Sequence, residues 1–127
     1  MKAREKPRAK SSNPMRVSAG FRQFVLDQLE PVGGVVPRAM FGGVGLYAGD
    51  VFFGIIAGDT LYLKVDDGNR GDYEAAGMPP FMPYPKRSAT MQYYAVPIGV
   101  LENPGELLVW ARKSIAAAKR KRAAFDP

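Results

Sequence analysis

The sequence contains no cysteine and no histidine. Their absence excludes disulfides, thiolate nucleophiles, Fe–S clusters, haem held by Cys or His, and the usual structural zinc sites. It also excludes every Ser-His and Cys-His catalytic arrangement. An enzyme built from this chain would have to work with carboxylates, Lys, Tyr or Ser. Long apolar runs are missing too, so no transmembrane helix is expected and no membrane partner. The basic N-terminus is followed by no apolar stretch of the kind a secretory signal needs. A soluble cytoplasmic protein without a cofactor is the expectation.

What is present is a globular composition. Of the 127 residues, 46% are hydrophobic and 11% aromatic, enough for one domain with a real core and unlike a disordered chain. The formal net charge of +6 is unevenly placed. Residues 1–16 carry a net +5 and residues 112–127 another +5, whereas residues 17–111 carry −4. The body is mildly acidic and the basicity belongs to the ends. Residues 1–16, with Pro7, Ser11, Ser12 and Pro14 among the charges, read as a disordered basic arm, and 119–127 as a basic tail. Lys119, Arg120, Lys121 and Arg122 are the candidate nucleic-acid contacts. Four contiguous residues spread around a helix axis, so only weak, sequence-independent attraction to phosphates is expected of them.

Between the ends, Ser18 suits an N-cap, and Phe21, Phe24, Val25 and Leu29 follow at helical spacing. Pro31 and Gly33-Gly34 stop that helix. A glycine-punctuated β region comes next. Residues 38–41 read as a short strand, bent at Gly42-Gly43 and continued through 44–47. The turn signals Gly49-Asp50 and Gly58-Asp59 bracket a nearly continuous apolar strand at 51–56. Leu61, Leu63 and Val65 alternate with Tyr62 and Lys64, a half-buried strand. Loops this short make the strands antiparallel neighbours.

A short helix over 69–77 ends at Gly77, with Asn69 or Asp67 as its cap. Four prolines make 78–85 extended and unfit for a central strand. Residues 91–96 read as a strand and 97–101 as a turn or a single helical turn. Pro104 suits the N1 position of a last helix. Its apolar positions Leu107, Trp110, Ala111 and Ile115 place Trp110 in the expected core. The order is α+β: α-β(3)-α-β(2)-α, an antiparallel sheet flanked by helices.

Three groups of residues invite a chemical reading. Gly42, Gly43, Gly45 and Gly49 lack the spacing of a phosphate loop and are followed by a strand, so bends or a bulge suit them better. Asp66, Asp67, Asn69, Asp72 and Glu74 are dense in oxygen, but no Gly stands at the sixth position of a calcium loop. Helix capping accounts for most of them, with a weak magnesium site as the alternative. The strand aromatics could stack bases, yet no Lys or Arg density lies beside them in sequence.

One ordered set of residues resembles a known family. The run Arg38-Ala-Met40-Phe41-Gly42-Gly43-Val-Gly45-Leu-Tyr47 is similar to the signature of the TfoX N-terminal domain, the Sxy competence-regulator family. Further matches follow in order. They are Leu61-Tyr62-Leu-Lys64-Val-Asp66, Asn69 with Tyr73 and Ala76-Gly77, Pro80-Phe81, Met91-Gln-Tyr93-Tyr94 with Pro97, and Trp110. The resemblance covers about residues 18–118. It implies a fold similar to type III secretion chaperones. It also implies a regulator that acts with the cyclic-AMP receptor protein at particular promoters. Full-length regulators pair this domain with a C-terminal helical domain; the sequence ends soon after the last predicted helix, so a single-domain member is expected. The resemblance carries over no catalytic residue.

Three functions therefore stand as expectations. The first is a non-enzymatic regulatory module that binds a protein partner, as monomer or homodimer. The second is a weak nucleic-acid binder through the basic ends. The third is a small-ligand or enzymatic site using Arg38, Lys64 and Asp66-Asp67, which requires those side chains to converge in a cleft.

Overall fold

A computed structural model describes residues 15–82 and 92–125. Most of the basic arm, the end of the proline-rich segment and Met91 lie outside these residues.

Helix α1 (Ala19–Gln28) starts where Ser18 was expected to cap it: Ser18 Oγ accepts from the Phe21 amide at 3.1 Å. Val25 and Leu29 are buried, but Phe24 is exposed with its ring beside that of Phe21, because α1 offers the core a narrow stripe. A single 3₁₀ turn (Glu30–Val32) leads into the sheet.

Five strands follow among the described residues: β1 (Val35–Met40), β2 (Gly43–Ala48), β3 (Val51–Ala57), β4 (Thr60–Lys64) and β5 (Tyr93–Ala95). They form one antiparallel sheet in the order β1-β2-β3-β4-β5. Two-residue turns join the first four. Gly49-Asp50 and Gly58-Asp59 place glycine at positive φ in the first central position, as a type II′ hairpin requires. The fold is α+β as expected, but four strands, not three, precede α2 (Arg70–Ala75). The reason is local. Met40 pairs with Gly43, so Phe41-Gly42 is a full reversal and not a bend within one strand. After α2, among the described residues, β5 has three residues and Pro80 bridges to Tyr94. The β2–β3 register shifts between Leu46 and Tyr47, one residue beyond Gly45.

Helix α3 (Ile98–Leu101) is one turn, tied to α1 by Gln28 Nε2 donating to the Leu101 carbonyl at 2.9 Å. Helix α4 (Pro104–Phe125) begins at Pro104, with Asn103 Oδ1 accepting from the Glu106 amide. It packs across β3 and β4. The helices gather over the sheet face that carries Leu46, Phe53, Leu61 and Leu63, each buried against Leu107, Ala111, Val25 and Tyr73. The opposite face presents Arg38, Tyr47, Phe52 and Tyr62, none of them fully buried.

Trp110 departs from expectation. It is half-buried at the margin of the core, with its ring edge-on to Tyr73 at 4.7 Å. Replacing it by alanine should therefore cost less than the roughly 3–5 kcal/mol of a fully buried aromatic. Urea unfolding that showed a loss within that range would place it in the core after all.

Candidate functional site

The resemblance residues fall in two places. The first is the β1–β2 hairpin. Phe41 and Gly42, its two central residues, both have positive φ, 51° and 87°. This is the signature of a type I′ turn, where Asn, Asp or Gly normally takes the first position. Phe41 takes it here and is 82% exposed. Behind the tip, Gly43 is buried against β3, and Gly45 lies beneath Met40 and Phe52. From β1 a row of side chains crosses the open face. The Arg38 guanidinium sits 5.3 Å from the Tyr47 ring centre, Tyr47 packs on Phe52, and Phe52 on Tyr93. The row ends at the Lys64 ammonium, 5.1 Å from the Tyr93 ring centre. Burial, with Tyr47 nearby, pushes the Tyr93 hydroxyl up to about 12. Tyr62 packs on Phe81 beside the row.

The second place is the far end of β4. Lys64 was expected to point outward, and its place in the alternation is as read. Yet it is only 5% exposed, because Gln92, Tyr93 and the end of α4 close over it. Its ammonium donates to Gln92 Oε1. Burial, followed by the positive charge of Lys121, holds it below the usual lysine range, and Asp66 opposes this only in part. Asn69 occupies the cap position of α2 without capping it. Its buried amide closes the end of β4 instead: Nδ2 donates to the Lys64 carbonyl at 3.0 Å, and Oδ1 accepts from the Asp66 amide at 2.8 Å. Where a strand's ladder stops, a buried side-chain amide can satisfy the backbone groups left over.

The acidic cluster is dispersed onto separate basic partners. Asp67 pairs with Arg70 at 2.5 Å and Asp72 with Lys113 at 2.9 Å. Asp66 Oδ2 and Oδ1 accept from Arg120 Nε and Nη2 at 2.7 and 2.8 Å. Among the described residues, no group of three acidic side chains is placed to hold a metal ion.

The basic quartet is also more ordered than its composition suggests. Helix α4 runs through it, and Arg122 forms a second bidentate pair, with Asp50, at 2.9 Å on both arms. Two of the four candidate phosphate contacts are thus neutralised against the body. Arg120 and Lys121 join Lys64, Asp66, Asp67, Arg70 and Gln92 around a cavity of about 490 Å³. The suggested set of Arg38, Lys64, Asp66 and Asp67 therefore splits. The last three converge; Arg38 lies across the sheet on β1. Sequence reading missed Gln92 and Arg70 because their relation to Lys64 arises only when β5 and α2 pack against β4.

The Arg120 hydrogen bonds hold the Asp66 carboxyl below its ordinary range, and Arg122 does the same for Asp50. A depressed carboxyl pKa adds stability above the unfolded value, and that stability is lost as pH falls through the folded value. Below about pH 4, where free carboxylates titrate, Asp66→Asn should therefore flatten the pH dependence of the urea midpoint. An acid limb as steep as wild type would remove this pair from the account.

Gly77 ends α2 at φ 70°, and Pro97 sits before the first turn of α3. No helix among the described residues is long and apolar enough to cross a membrane. A family model described as the TfoX N-terminal domain matches residues 27–118. Comparison with curated proteins finds no match.

Proposed function

This chain belongs to the TfoX N-terminal domain family, and from that premise we propose that it is a regulatory module without chemistry of its own, binding a protein partner through the tip of the β1–β2 hairpin. Family membership supports a competence-related regulatory domain; action at a promoter as part of a protein complex is the finer part of the proposal.

The observation that carries it is Phe41. A bulky residue in the left-handed region costs on the order of 1–2 kcal/mol relative to glycine. An aromatic ring left 82% exposed also forgoes burial. The turn would form more easily with Asn-Gly or Gly-Gly. Strain and exposure at one residue, within the family's own signature, fit a contact made with something else. Val36 and Arg38, exposed further along β1, extend the surface with one apolar and one cationic group.

The test is affinity capture from the native cell, with and without nuclease. A protein that stays bound after nuclease treatment is the expected result. Release of everything captured would mean that the partner is nucleic acid and would overturn the proposal.

A further inference from the structure

We infer that the outer face of α4, carrying Arg112, Lys113, Lys119 and Arg120, binds the phosphate backbone of a nucleic-acid duplex, and that Asp72 and Asp66 restrain two of these four cations. This goes beyond the hairpin reading and does not depend on it, since the two surfaces share no residue.

Helical geometry is the first argument. Successive residues of an α-helix turn by about 100° around its axis. The contiguous run from Lys119 to Arg122 therefore scatters round α4. The doublets Arg112-Lys113 and Lys119-Arg120 instead fall within one arc of about 120°. All four residues are exposed. Ala116, at the centre of the arc, is small and leaves room for a phosphate backbone to approach. The buried positions Leu107, Ala111, Ser114 and Ala118 lie on the opposite side of the axis, toward the sheet. The two doublets stand about 10.5 Å apart along the helix.

Charge is the second. From residue 112 to residue 125 α4 contains no acidic residue, whereas residues 17–111 carry a net −4. Arg112 and Lys119 make no hydrogen bond or ion pair with another described residue. Lys113 and Arg120 are restrained from α2 and the loop before it. Lys113 Nζ donates to Asp72 Oδ2 at 2.9 Å, and the Arg120 fork donates to both oxygens of Asp66 at 2.7 and 2.8 Å. Both cations stay about half exposed in these pairs. The strip thus holds two ready cations and two that carboxylates occupy.

The chemistry of the partner is the third. A duplex carries one negative charge per about 1.7 Å of its axis, so roughly six charges face a strip of this length. Each phosphate contact releases condensed counterions, a gain that a single carboxylate does not offer. Exposed ion pairs contribute little, so a duplex at low salt can displace Asp72 and Asp66 from Lys113 and Arg120. Contacts to phosphate position a protein without reading sequence. A membrane would find little to bury here, because the apolar members of this face are Val109, Ala116 and Ala123.

The experiment is an anisotropy titration of a labelled DNA duplex with the full chain, between about 50 and 200 mM salt. Wild type should bind with an affinity that falls as salt rises. Arg112→Gln/Lys119→Gln should weaken binding roughly tenfold or more at the lowest salt. It should also make the slope of log K against log salt shallower by about 1.8, the share of two phosphate contacts. Arg16→Gln/Arg22→Gln, the same loss of charge at and before α1, should change the slope by less than half as much. Asp66→Asn/Asp72→Asn should tighten binding severalfold and steepen the slope. Asp27→Asn/Asp59→Asn, whose carboxylates accept from the neutral Gln23 and Thr60, should not steepen it. Thermal unfolding checks that each variant is folded. Should the Asp66 and Asp72 double variant unfold, Asp72→Asn alone should steepen the slope by about 0.9. No duplex binding by wild type at the lowest salt would overturn the inference, as would equal losses in the α4 and α1 double variants. Binding no tighter without the two carboxylates would overturn the restraint. Tighter binding to polyglutamate than to duplex would assign the strip to an acidic protein and overturn the nucleic-acid reading.

Discussion

Gly43→Val should destabilise the protein by about 1–3 kcal/mol or more, the range for overpacking a filled site. An ideal Cβ at Gly43 would stand 2.7 Å from the Ile56 carbonyl oxygen, with Met15 Cε at 3.1 Å and the Met15 carbonyl at 3.4 Å. The first of these is backbone of the neighbouring strand. It cannot withdraw without opening the β2–β3 ladder, where Val44 pairs with Ile56. Gly77→Asn provides the contrast, because Gly77 has a positive φ that asparagine tolerates and a Cβ there would meet nothing within 4 Å. Urea unfolding of the two variants should separate them clearly. Equal midpoints would mean that the two glycines serve the same purpose, and that the close approach of β2 to β3 is not what selects Gly43. On the proposed reading the contact bears on function, because it lies at the base of the hairpin that carries Phe41.

Phe53→Ala should cost about 3–5 kcal/mol, a large share of the roughly 5–15 kcal/mol that holds a domain of this kind together. Phe53 is fully buried on the middle strand, on the face that α4 covers. Strands on both sides keep the backbone from collapsing into the void. The same substitution at half-buried Trp110 should cost less. A reversed order of the two, measured in one urea series, would mean that the core centres on the α2–α4 contact and not on the sheet.

These elements were legible in unequal degree. Ser18, Pro104 and the two Gly-Asp turns act through their own backbone neighbours, so their roles can be read locally, and all four sit where such residues should. Phe41 was misread for an equally local reason. A β-forming aromatic following Arg-Ala-Met extends a strand pattern, and only the pairing of Met40 with Gly43 reveals that the chain has already turned. Lys64 shows a different limit. Strict alternation placed it correctly on the face opposite Leu63, but whether that face is open there depends on Gln92, 28 residues away, and on the end of α4. The Arg120–Asp66 and Arg122–Asp50 pairs join positions 54 and 72 residues apart. A run of basic residues carries no signal for such partners, so the quartet looked like a solvated tail when half of it is docked.

The most direct measurement compares wild type with Phe41→Gly in the nuclease-treated capture, alongside thermal unfolding of both proteins. Glycine accepts φ 51° without strain and removes the exposed ring. The account predicts an unfolding midpoint unchanged or raised, together with loss of the captured protein partner. Capture at the wild-type level by the folded Phe41→Gly protein would contradict it.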